Sequence, residues 1–97
     1  MWFQGAVILG KVAVSFRVTP SDENENIEKI RENLISDLSK DFVLGKSRIE
    51  ELAFGIKVLK LIVIIDDKGG LVDQVEAKIK AYSGVGEADV EEVSLIS

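Results

Sequence analysis

Asp66 and Asp67 are adjacent carboxylates, and Gly69-Gly70 follows them just ahead of an amphipathic segment. Such residues could meet a divalent cation or cradle a phosphate. Two neighbouring carboxylates on a turn, however, supply fewer convergent oxygens than a hard cation takes. The glycine pair lacks both the G-x-G-x-x-G spacing and the lysine of a phosphate-binding loop. The segment from Asp66 to Gly70 is therefore read as a solvated turn opening towards a helix. Glu50-Glu51 and the acids Glu87, Asp89, Glu91 and Glu92 are read as solubilising surface.

The missing residue types narrow the chemistry further. The 97 residues contain no Cys and no His. Disulfides, thiolate zinc sites, cysteine nucleophiles and the usual neutral-pH proton shuttle are thereby removed. Catalysis by carboxylates or lysine remains possible on composition, but most enzyme templates are already gone. Twelve Lys+Arg against 17 Asp+Glu leave a net charge of -5, which disfavours direct nucleic-acid binding. The longest apolar run, Leu61 to Ile65, is far short of the roughly 20 residues of a membrane span. The opening residues, Met1 to Leu9, are apolar but carry no preceding basic residue, so they do not read as a signal peptide. A cytoplasmic location is expected.

Phe54-Gly55 is the remaining oddity, an aromatic beside a glycine between two strand-like runs. Glycine would let the backbone turn sharply there. Phenylalanine is commonly core, yet an exposed one at a loop tip is a natural partner anchor. Pattern alone leaves both readings open.

The elements that must position these residues follow from two periods. Val12, Val14, Phe16 and Val18 alternate with Lys11, Ala13, Ser15, Arg17 and Thr19, which predicts a half-buried strand ending at Pro20. The turn and N-cap cluster Ser21 to Asn26 leads into a helix whose apolar face is Ile27, Ile30, Leu34 and Leu38. Gly45 is expected to close the connection that follows. Lys46 to Ala53 reads as an edge strand. Ile56 to Ile65, apolar on both faces in its second half, reads as a central strand. Val72, Val75, Ile79 and Tyr82 mark a second helix stopped near Ser83-Gly84. Ala88 to Ile96 is the last strand, and the three-residue spacing of Val90 and Val93 suggests a bulge.

The order β-α-β-β-α-β predicts an α+β, ferredoxin-like fold: a four-stranded antiparallel sheet with two helices on one face. The strands beginning near Lys11 and Ile56 are expected at its centre, parallel to each other. Residues 10–97 form one domain in this reading, and residues 1–9 an N-terminal extension. The fold alone decides no function. An RNA-recognition version would carry aromatics on its central strands, and the third strand has none. A metal-chaperone version needs thiols, and an acylphosphatase-like site needs an arginine in a glycine-containing first loop. Pro20 to Asn26 has neither arginine nor glycine. A small-molecule-sensing or dimerisation module and, more remotely, a small carboxylate enzyme stay open on pattern alone.

The stretch Ile49-Glu50-Glu51-Leu52-Ala53-Phe54-Gly55-Ile56-Lys57-Val58-Leu59, running on into Leu61 to Ile65, Asp66-Asp67 and the second helix, resembles the elongation factor 1-beta family. More narrowly it resembles the short archaeal form, which consists of the guanine-nucleotide-exchange domain alone. Gly10 to Val14, Val18-Thr19-Pro20 and Asn26-Ile27-Glu28 also fit, so the resemblance covers nearly the whole chain. It implies exchange of GDP for GTP on the translation GTPase elongation factor 1-alpha, by binding rather than by bond chemistry, so that no enzymatic activity, no cofactor and no metal site are expected. It also implies that Phe54 enters a pocket of the GTPase, with Gly55 and Lys57 as neighbours in the contact. Eukaryotic members use in addition a lysine close to the C-terminus. This chain ends Val93-Ser94-Leu95-Ile96-Ser97, and that role is not carried over.

Overall fold

The period-two and period-3.6 segments become, in the computed structural model, β1 (Lys11–Pro20), α1 (Ile27–Leu38), β2 (Val43–Glu51), β3 (Lys57–Asp66), α2 (Leu71–Lys80) and β4 (Val85–Leu95). The structure describes residues 10–96, and the expected N-terminal extension, residues 1–9, lies outside them. The sheet order is β2-β3-β1-β4, and each neighbouring pair is antiparallel. This is the ferredoxin-like α+β arrangement. β1 and β3 are central as expected, but they run antiparallel, with Val14 opposite Val63. The expectation of a parallel pair is corrected by the connections. The helical crossover makes β2 parallel to β1, the tight β2–β3 turn reverses the chain, and β3 then slots between them.

The alternation of β1 does what it predicts. Val12, Val14, Phe16 and Val18 are buried with Leu59, Leu61, Val63 and Ile65 of β3 beneath Ile27, Ile30, Leu34 and Leu38 of α1 and Val75 and Ile79 of α2. Asn26 starts α1 by accepting the Glu28 and Lys29 amide hydrogens on its Oδ1, at 3.1 and 3.2 Å, which satisfies two donors that the helix cannot. The helix-free face is mixed, with ion pairs beside Ala13, Ile62 and Ile64 of the central strands. Glu91 lies 2.6 Å from Lys60 Nζ and 3.9 Å from Arg17, which also faces Asp89. Partly exposed pairs of this kind contribute little to stability.

Strand boundaries differ from the sequence reading: β2 ends at Glu51 rather than Ala53, and β3 runs Lys57–Asp66 rather than Ile56 to Ile65. β2 begins at Val43, so Gly45 lies inside the strand rather than closing a connection. The register breaks between Leu44 and Ser47, and a Cβ on Gly45 would sit 2.9 Å from Ile62 Cγ2. Glycine is there because the irregular strand passes directly against β3. β4 begins at Val85, ahead of Ala88. Its expected bulge is present: Phe16 faces Val90 and Ser15 faces Glu92, which leaves Glu91 as the extra residue.

Candidate functional site

The β2–β3 hairpin ends with Glu51 opposite Lys57. Beyond that pair the Leu52 amide donates to the Ile56 carbonyl at 2.6 Å, and the Ile56 amide reaches the Ala53 carbonyl at 3.5 Å. Between them Phe54 adopts φ 65°, ψ 24°, and Gly55 adopts φ 75°. Two successive left-handed residues turn the chain within the smallest space. Gly55 does so without penalty, whereas phenylalanine in this region costs on the order of 1–2 kcal/mol. Phe54 is the one non-glycine residue at positive φ among the described residues.

The ring gains nothing inside the domain for that strain, since Phe54 is 97% exposed. Phe16, the comparison within the same chain, is 0% exposed. Leu52 and Ile56, at 40% and 41% exposed, flank Phe54 and take no part in the core. Lys57 is exposed. Phe54, Gly55 and Lys57 thus share one hairpin tip, and the core reading of Phe54 is excluded.

Asp66 and Asp67 do not assemble into a site. Asp66 accepts from Lys11 Nζ at 2.6 Å, and this hydrogen bond and charge hold its carboxyl below the ordinary range. The Asp67 amide donates to the Gly10 carbonyl at 2.9 Å. Gly70, at φ 87°, begins α2 without a side-chain cap, so the glycine pair serves the turn. Among the described residues no group of three or more Asp, Glu, His or Cys could hold a metal ion. No helix among them is long and apolar enough to cross a membrane.

The sequence reading treats the β1–α1 loop as a turn and N-cap cluster and assigns it no binding role. Pro20 to Asn26 borders a groove of about 880 Å³ whose other side is Gly55, Ile56 and Lys57. The available signal was a run of acids with no base, Asp22, Glu23, Glu25 and Glu28. Its nearness to the hairpin tip depends on strand pairing.

Residues 13–96 match the EF-1 guanine nucleotide exchange domain, and the chain belongs to that family. Its role is guanine nucleotide exchange in translation elongation. Among its archaeal relatives, elongation factor 1-beta of Methanoregula boonei is 37% identical over 89 residues, covering 90% of this chain and 99% of that protein. Elongation factor 1-beta of Thermoplasma acidophilum is 33% identical over 88 residues, covering 91% and 100%. The protein of the same name from Pyrobaculum aerophilum is 32% identical over 88 residues, covering 90% and 96%.

Proposed function

We propose that this domain promotes release of GDP and entry of GTP on elongation factor 1-alpha, with Phe54 as the anchor inserted into the GTPase and Gly55 and Lys57 in the surrounding contact. The observation that carries this reading is a phenylalanine held 97% exposed on a left-handed backbone. Full burial of such a side chain is worth roughly 1.5–3 kcal/mol, and the isolated domain forgoes it while bearing backbone strain. Local strain of this kind is a feature of binding sites, where it presets a side chain. Here it presents the ring before the partner arrives, which lowers the ordering cost of association.

Exchange then follows from linkage. A protein that binds the nucleotide-free GTPase more tightly than the GDP form weakens GDP binding by the same factor. No bond is made or broken, so the domain acts as a binding partner rather than an enzyme, and it needs no metal or cofactor of its own. It works in the cytoplasm, where elongation occurs, and it reaches tRNA only through the GTPase. The test is release of fluorescent GDP from the cognate GTPase. Addition of this protein should accelerate release, and Phe54→Ala should remove most of the acceleration. Equal rates with and without the native protein would end the reading.

A further inference from the structure

We infer that the β1–α1 loop and the β2–β3 tip form one composite docking surface, whose groove receives a Lys- or Arg-bearing segment of the same GTPase that takes Phe54. The inference rests on the anchor reading above and extends it from one side chain to a surface of defined charge.

Continuity comes first. Gly55 and Ile56 belong to the Phe54 turn and also line the groove, so a body that encloses Phe54 comes up beside the groove. Leu52 and Ile56 belong to neither the core nor the apolar residues packed against it. With Phe54 they make an apolar knob, the usual form of an interface centre, beside which a polar rim is expected.

Charge then identifies what covers that rim. Asp22, Glu23, Glu25 and Glu28 line the groove, and Lys57 is the base among its lining residues. No ion pair to any of these four acids occurs among the described residues, whereas Asp66, Asp89 and Glu91 on the sheet each face a base. The Glu25 carboxylate lies back against Gly84, but like charges gathered on one loop still repel one another and concentrate a negative potential there, which a cationic segment relieves.

The wall is also preset. Asp22 Oδ1 accepts the Asn24 amide at 2.8 Å, and the Ser21 amide donates to the Gly84 carbonyl at 2.8 Å, tying the loop to the start of β4. Gly86 allows that approach, because a Cβ there would fall 2.9 Å from Ser21 Cα. The backbone that carries the carboxylates is therefore ordered before association.

The experiment is stopped-flow association with the cognate GTPase carrying fluorescent GDP, at low and at high salt. Glu23, Glu25 and Glu28 are replaced together by Gln, and Asp22 is retained because it holds the loop. Association should slow roughly tenfold at low salt and lose most of its salt dependence. A comparison variant removes the same charge elsewhere, through Asp67→Asn, Asp73→Asn and Glu92→Gln, and should keep most of the salt dependence. Native behaviour of the groove variant, or an equal loss in both variants, would overturn the composite surface. Phe54→Ala is measured alongside. If it cripples exchange while the groove variant does not, only the present inference falls. If it leaves exchange untouched, the anchor reading falls.

Discussion

The Leu52 amide and the Ile56 carbonyl meet at 2.6 Å, and this bond closes the turn that carries Phe54 away from the sheet. Its two residues lie just beyond the end of β2 and just before the start of β3, elements fixed by eight cross-strand partners in the β1–β3 ladder and by the β2–β3 ladder beside it. The tip is thus the end of a braced hairpin, which is why its left-handed pair can be held in place.

The two phenylalanines Phe16 and Phe54 should respond oppositely to truncation. Phe16→Ala, in the closed core, should cost about 3–5 kcal/mol of folding stability. Phe54→Ala should leave the thermal midpoint nearly unchanged while lowering exchange by about 2–4 kcal/mol, roughly thirtyfold to several hundredfold. Thermal melts and GDP-release rates on both variants check this. A marked loss of stability on Phe54→Ala would contradict the exposed anchor.

Gly55→Ala meets open space, since no atom lies within 4 Å of an added Cβ, but it places alanine at φ +75°. The expected cost is about 1 kcal/mol, or some 4–8 °C in the midpoint for a domain of this size. Phe54→Gly should do the reverse, relieving strain while losing exchange. Calorimetry and exchange rates together separate the backbone effect from the side chain.

Gly45→Ala should destabilise for a steric reason instead. The added methyl falls 2.9 Å from Ile62 Cγ2, and overpacking of this kind costs roughly 1–3 kcal/mol. Because Gly45 lies in β2 well away from the hairpin tip, exchange by the folded fraction should persist. Denaturant titration supplies the stability difference.

At high pH the domain should lose stability through Tyr82. Burial, then the hydrogen bond and charge of Asp37, push its hydroxyl up from 10.0 to about 12. The folded state therefore holds the proton more tightly than the unfolded chain. The contribution is whole below the unfolded value and disappears as pH rises through the folded one. Asp37 behaves inversely. The Tyr82 hydrogen bond first, and the Lys40 and Lys78 charges after the opposing effect of burial, hold its carboxyl below 3.8, so its contribution fades as acid protonates it. Tyr82→Phe should flatten the alkaline decline in a series of melts, leaving the neutral-pH midpoint little altered.

The isolated domain should show no gel shift with tRNA at physiological salt, since its net charge of -5 leaves little to offset phosphate repulsion. Adding the GTPase should bring both into one complex. Micromolar binding by the domain alone would refute the expectation.

Local chemistry was enough to place the core. The alternation of Val12 to Val18 and the i, i+3, i+4 spacing of Ile27 to Leu38 each select a buried face from a few consecutive residues, and the structure buries those faces. The absence of Cys and His likewise removes whole reaction classes from sequence alone. The direction of β1 against β3 was misread, because a strand's own pattern carries no sign for its neighbour's direction; the connecting turns decide it. The placement of Gly45 failed for a related reason, since glycine marks a turn and a close strand contact equally well in one dimension.

Phe54 divides the two sources of information most sharply. The sequence by itself determined that an aromatic would stand beside a glycine between two strands, because Gly and the flanking alternation act locally. Whether that ring turned inward or outward depended on hairpin closure between Leu52 and Ile56 and on the core already being filled by Phe16 and its neighbours. The tertiary structure alone also brought Asp22 to Glu28 beside Ile56 and Lys57, because pairing β1 with β3 puts the end of one strand next to the beginning of the other. That juxtaposition joins residues some thirty positions apart, and no period or motif records it.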